Sequence, residues 1–269
     1  PLFLAFLKQE LMPFVQENFR THDHTTFVGH SLGGLFAINT LIDAPDTFDG
    51  YLTIAPALWW DKEITAQKMK KGFANSWKSQ PSVYLTIGAA DGWGMRQELK
   101  RFMEVLNDQQ ADQLRWTHVE VPGEDHEPVV MTGLFQGLRW IFSDIQLSDD
   151  LKETLDVDRI KHHISELRQK YGPDVRLPES ELIDIAMELE KNGDYHGAAE
   201  LYRMNTEFYP KHIFEWELLG QALEKSQRYR EAEAAYREAA RIGRAINHNR
   251  TRHYEAKARE MATRMAEAN

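Results

Sequence analysis

The sequence predicts an α/β architecture, a parallel sheet with helices on both faces, followed by an all-α region. Three observations carry this. Up to Phe142, short β-branched runs alternate with segments of helical period, the pattern of parallel strands joined by crossover helices. After Phe142 the strand signals cease. Further on, two segments match each other at a shift of 34 residues, a spacing that marks repeated helical hairpins.

The elements follow in order. Residues 2 to 19 place Leu4, Leu7, Leu11, Phe14 and Val15 at helical spacing, and Lys8, Gln9, Glu10 and Pro13 break the run, so an amphipathic helix is expected rather than a signal or membrane segment. Thr25 to Val28 is short, β-branched and followed by Gly, which predicts a buried strand. A helix is expected from Ser31 to about Asp43, ending before Pro45, whose fixed ring and missing N–H disfavour continuation. Strands are then expected at Gly50 to Ala55, Ser82 to Gly88 and Leu114 to Val121, alternating with helices at Lys62 to Lys71, Met95 to Asn107 and Pro128 to Phe142.

Beyond this the chain is polar and acidic, with Ser148, Asp149 and Asp150 in a row, which suits a connector over residues 146–157 between an α/β domain at 1–145 and a helical domain at 158–269. The 34-residue match pairs Leu182 with Trp216, Ile185 with Leu219, Leu189 with Leu223, Tyr195 with Tyr229, Ala198 with Ala232 and Tyr202 with Tyr236. That period, with small residues where paired helices approach closely, is tetratricopeptide-like. Two repeats are fewer than such arrays need to stand alone, so neighbouring helices are expected to cap them.

Composition excludes some function classes. The 42 Asp and Glu outnumber the 32 Lys and Arg, and a formal charge of −10 argues against a nucleic-acid partner, which needs clustered cations to neutralise phosphates. The chain has no Cys, so disulfides, thiolate zinc sites and a Cys nucleophile are excluded. No apolar run is long enough for a membrane span.

The chemistry is carried by Gly29-His30-Ser31-Leu32-Gly33, a G-x-S-x-G sequence between an expected strand and an expected helix. A nucleophile on such a strained turn projects its hydroxyl, and Gly29 and Gly33 are expected to let neighbouring backbone pass without Cβ clashes. The N–H of Leu32 would face a forming oxyanion with the positive end of the helix behind it. Serine needs a base. Of the later histidines in this part, His118 lies inside a strand, whereas His126 lies in PGEDHEP, the loop following the last strand. His30 adjoins the nucleophile but is expected to point away, as a packing residue. For the acid, Asp91 emerges past the strand SVYLTIG on the same sheet edge; it is equally placed to cap a helix or share a turn with Gly92, and Glu98, Glu124, Asp125 or a Ser-His dyad are the alternatives. Trp59 and Trp60 in APALWWD are either core plugs or a wall for a planar substrate, with Trp93 and Met95 as additions to it. No cofactor and no metal is called for.

These residues resemble the putative-esterase branch of the α/β-hydrolases that includes the ferric enterobactin and salmochelin esterases. The likeness rests on FVGHSLGGLFA, IAPALWWD, the G-x-x-D after SVYLTIG, and PGEDH with GLRWIF, and spans roughly Leu2 to Phe142. The resemblance implies Ser31 as nucleophile, His126 as base, Asp91 as acid, and Trp59 and Trp60 bordering a catecholate-type ester. The helical tail departs from the siderophore esterases proper. A single α/β domain needs roughly 200 residues or more, so further N-terminal strands, with the second oxyanion donor, are expected to precede Pro1. The expected function is a serine esterase acting on a siderophore-type or other aromatic ester, with a small-molecule substrate and a protein partner on the helical repeats. The alternatives are a hydrolase-like interaction module and an acyltransferase.

Overall fold

In the computed structural model the described residues are 2–72, 80–108 and 114–267, the side chain of Trp93 excepted. The chain divides into two compact units, Pro1–Ser143 with Lys170–Gly172, and Asp144–Gln169 with Pro173–Asn269. Among the described residues no helix is long and apolar enough to cross a membrane.

The first unit opens with α1 (Leu2–Phe6), a π-helical turn (Leu7–Leu11) and α2 (Met12–Asn18). Pro13 has no N–H to give, and the π turn, with its i→i+5 bonds, shifts the phase of the residues that follow. The apolar stripe expected here is therefore only partly used: Leu7 is buried, whereas Leu11 and Phe14 are exposed.

Four parallel strands follow among the described residues: β1 (Thr26–His30), β2 (Gly50–Ile54), β3 (Ser82–Gly88) and β4 (Arg115–Val121), in spatial order β1-β2-β3-β4. The register pairs Thr26 with Gly50, Gly50 with Ser82, and Ser82 with Arg115, so all four strands run out at one edge. Every residue of β2 and β3 is buried, as the near-continuous apolar runs require of strands covered on both faces. The helices are α3 (Leu32–Asp43), α4 (Trp60–Met69), α5 (Trp93–Asp108) and α6 (Val129–Ile141). Phe27 of β1 meets Phe36 of α3 with ring centroids 5.2 Å apart, while α6 lays Gly133 against Ile54 and Thr86 and Gly137 against Leu52 and Tyr84. Phe27 shares a face with its register partner Tyr51, and Leu52 takes the other, so α3 and α6 cover opposite faces.

The second unit is helical: α7 (Asp149–Thr154), α8 (Val157–Tyr171, whose last two residues fall in the first unit), α9 (Glu179–Lys191), α10 (Tyr195–Phe208), α11 (Ile213–Lys225), α12 (Tyr229–Ala245) and α13 (Thr251–Glu267). α7 lies inside the expected connector because Ser148 is an N-cap, accepting from Leu151 N at 3.3 Å, and Asp149 and Asp150 suit a first helical turn. From α9 to α13 each helix packs on the next. The matched positions Leu182, Ile185, Leu189, Ala198 and Tyr202 are buried, as are Leu219, Leu223, Ala232 and Tyr236 one period later. The period also appears in the backbone: the turns inside the two hairpins carry positive φ at Gly193 (82°) and, 34 residues on, at Gln227 (60°).

A Cβ at Gly193 would meet no atom within 4 Å, so its substitution tests backbone conformation alone. Gly193→Ala is expected to destabilise the helical unit by about 1 kcal/mol, the penalty of a left-handed L-residue, read from urea unfolding.

Candidate active site

Ser31 sits between β1 and α3 with φ 54° and ψ −114°, a conformation that L-residues avoid. Such strain costs of order 1–3 kcal/mol and persists only where the surroundings over-determine it. Here three backbone hydrogen bonds do so: Ser31 N donates to Ile54 O at 3.0 Å, and Ser31 O accepts from Leu35 N at 3.0 Å and Ala57 N at 2.9 Å. A Cβ on Gly29 would overlap the Gly33 carbonyl, so glycine is required at 29. The expectation for Gly33 is corrected, since a Cβ there would meet nothing within 4 Å; the crowded second glycine is Gly34, whose Cβ would lie 2.9 Å from Pro56 Cβ. Leu32 opens α3, so its N–H is among those without an intrahelical acceptor and lies at the positive helix end.

Asp91 and His126, the expected acid and base, come from the two loops beyond β3 and β4. Asp91 is buried, and its Oδ2 stands 3.1 Å from His126 Nδ1 while its Oδ1 accepts from Gly92 N at 2.7 Å. Asp91 thus meets His126 with one oxygen and shares a turn with Gly92 through the other. The His126 loop crosses directly over the end of β3, because Gly88 has no side chain: a Cβ there would overlap the Glu124 carbonyl. Ala90 N donates to that carbonyl at 2.8 Å and Ala89 N to Val121 O at 2.8 Å, so the two loops are tied backbone to backbone. The other carboxylates go elsewhere. Glu124 Oε1 accepts from Thr132 Oγ1 at 2.5 Å, Asp125 is exposed, and burial followed by the nearby Glu63 pushes the Glu98 carboxyl above its usual range. His118 remains half-buried in β4, its pKa lowered by burial.

His30 is more than the packing residue expected. Its Nε2 lies 2.9 Å from the His126 carbonyl oxygen and its ring centroid 4.6 Å from that of His126. The residue before Ser31 thus holds the backbone of the residue paired with Asp91. Only adjacency to Ser31 pointed to His30 in the sequence; a bond to a carbonyl 96 positions away leaves no local signal.

Trp59 and Trp60 are 48% and 50% exposed, with ring centroids 5.7 Å apart, so they are not core plugs. The Ala57–Ser31 hydrogen bond anchors their loop to the strained turn. Immediately after them Asp61, Lys62 and Glu63 take three consecutive left-handed conformations, braced by Arg101, which donates to Glu63 at 2.7 and 2.9 Å. Met95 is partly buried against the core; the Trp93 side chain lies outside the described residues.

Residues 1–132 match the family model described as "Putative esterase". A siderophore enterobactin esterase of Emericella nidulans is 31% identical over 104 residues, 36% of this chain and 34% of that protein. The ferri-bacillibactin esterase BesA of Bacillus subtilis is 24% identical over 144 residues, 51% of this chain and 50% of its own. The chain therefore spans between about a third and a half of these two relatives. The solved structure of an IroE-like serine hydrolase from Shewanella oneidensis superposes with a TM-score of 0.58 at 21% identity, over 77% of this chain and 66% of that one, a likeness of fold.

The two glycines of G-x-S-x-G make opposite demands. Gly29→Ala is expected to destabilise the α/β unit by about 3 kcal/mol through overlap with backbone, whereas Gly33→Ala, in open helical space, should stay within about 1 kcal/mol of the parent. Denaturant unfolding of both variants checks this.

Proposed function

We propose, from the match of residues 1–132 to the putative-esterase family, that the α/β unit is a serine esterase cleaving a carboxylic ester through an acyl-enzyme on Ser31. The observation that carries the reading is the strained Ser31 turn at the same sheet edge as the buried Asp91 and its partner His126. In this reading Asp91, His126 and Ser31 form a catalytic triad. Asp91 accepts the Nδ1 proton of His126, which leaves Nε2 as an acceptor for the Ser31 hydroxyl proton. Ser31 Oγ attacks the ester carbonyl carbon as Nε2 takes that proton, and the negative charge on the carbonyl oxygen faces the Leu32 N–H. Collapse of the tetrahedral intermediate breaks the bond to the alkoxy oxygen, and the imidazolium returns its proton to the departing alcohol. Water, giving a proton to His126, then attacks the acyl carbon, and collapse of this second tetrahedral intermediate breaks the bond to Ser31 Oγ, which takes the proton back from the imidazolium as the acid is released. His30 acts through His126, fixing where its ring stands.

The substrate we infer is a siderophore-type or other aromatic ester. The exposed Trp59–Trp60 pair, anchored to the Ser31 turn, offers a planar apolar wall, and the relatives are esterases of enterobactin and bacillibactin. We read the 34-residue hairpins as tetratricopeptide-like and assign the small ester to the α/β unit and a protein segment to the helical one. Transfer of the acyl group to an alcohol would use the same residues and differ only in product.

Reaction of the full chain with a fluorophosphonate is expected to label Ser31, and Ser31→Ala to abolish the label; an unlabelled, folded chain overturns the enzyme reading in favour of an interaction module. Asp91→Asn should lower kcat by about 10⁴-fold, the loss expected when the base is held in the wrong tautomer. Trp59→Ala should raise KM for aromatic esters while leaving short aliphatic esters nearly unchanged, which steady-state kinetics on paired substrates decides.

A further inference from the structure

The helical unit holds a polar cluster that the proposed chemistry does not use. Glu215, in the first turn of α11, is 0% exposed, and its Oε1 has no hydrogen-bond partner. A buried carboxylate in this state is expensive, and burial together with the adjoining Glu179 carboxyl pushes the Glu215 pKa up to about 7, so two carboxyls this close call for a shared proton or a cation between them. Its Oε2 accepts from Asn205 Nδ2 of α10 at 2.6 Å, and the same amide donates to the Glu179 carbonyl at 3.1 Å. Glu179 opens α9, and its Oε1 lies 2.8 Å from Nδ1 of His212, the residue at the N-terminal boundary of α11. One donor atom each from Glu179, His212 and Glu215 falls within 4.8 Å of the others.

We propose that Glu179, His212 and Glu215 are the ligands of a divalent zinc-type ion that ties the start of α9 to the start of α11. The donor set selects the metal. One imidazole nitrogen with two carboxylate oxygens suits zinc, which takes four ligands and completes its shell with water, whereas calcium and magnesium require more oxygen. The charges agree: two carboxylates balance a dication, which would take the place of the proton that the Glu179–Glu215 pair otherwise shares. Asn205 supplies the outer hydrogen bond that orients a ligating carboxylate. His212 and Glu179 keep 51% and 40% of their side-chain surface exposed, so an ion has a route in while Glu215 closes the floor. The cluster lies where one hairpin meets the next, so the ion would strengthen that junction without touching Ser31, and it stands or falls independently of the esterase reading.

The full chain, stripped by chelator and dialysed, should bind one zinc ion in calorimetric titration with zinc alone, and saturation should raise the unfolding midpoint by about 5 °C. Glu215→Gln, which preserves shape, and His212→Ala, at an exposed site, should each weaken binding at least about tenfold and abolish the thermal shift. Absence of saturable binding, or binding unaltered in both variants, overturns the proposal: the cluster is then a carboxyl pair sharing a proton, and any bound zinc sits on other histidines.

Discussion

At Gly29 the strand leading into Ser31 touches the helix that follows it, backbone against backbone, with no room for a methyl group. The close approach makes the chain reverse within one residue, which places Ser31 at φ 54°. Packing holds that strain: the Ser31 carbonyl is occupied by Leu35 and Ala57, and its N–H by Ile54, so the turn cannot relax without releasing α3 and the loop after β2 together. The loop bearing Trp59 and Trp60 is fixed by the same bonds. A single steric constraint therefore sets the Ser31 turn, the start of α3 at Leu32 and the anchoring of the aromatic pair.

A second close approach does the same for the other half of the site. Because Gly88 presents no side chain, the loop after β4 lies on the end of β3, and hydrogen bonds from Ala89 and Ala90 lock it there. Asp91 and His126 then face each other from adjacent loops, with Asp91 desolvated and His126 half-buried. His30 bridges the two constraints, since it extends the β1 backbone at Ser31 and bonds the His126 carbonyl. Loops are mobile by default; here three of them are joined by short polar bonds to the rigid ends of parallel strands.

The helical unit solves a different problem. Its hairpins bury Tyr202, Tyr236 and Tyr254 among alanines and leucines, and burial pushes the Tyr254 hydroxyl up to about 12, with Tyr202 and Tyr236 higher still. These rings stay neutral and act as packing residues with a polar tip: Tyr254 donates to Glu217 at 2.8 Å and Tyr236 to Glu224 at 3.1 Å. Glu217 is satisfied in turn by Arg250. Such pairing is incomplete at the Tyr202 hydroxyl and, beside Asn205, at one Glu215 oxygen.

Order and type of the elements were legible in the sequence because they are local. Periodicity of two or 3.6 places β2, β3 and α6 without reference to anything distant, the 34-residue match marks the hairpins, and G-x-S-x-G between a strand and a helix singles out Ser31. His126 and Asp91 could be nominated because loops after parallel strands share one edge. Burial of single faces was less legible: the π turn at Leu7–Leu11 changed which residues of the first helix face inward, and Ser148-Asp149-Asp150 proved to begin a helix. What the sequence determined by itself is thus the α/β-then-helical plan and the residue at the elbow. Which carboxylate meets His126, that His30 rather than a neighbour supports it, that Gly34 and not Gly33 is crowded, and that Glu215 is sealed beside Glu179 and His212 were decided by tertiary structure alone. Each depends on side chains brought within a few ångströms from tens of positions away, and no period or spacing along the chain encodes such a distance.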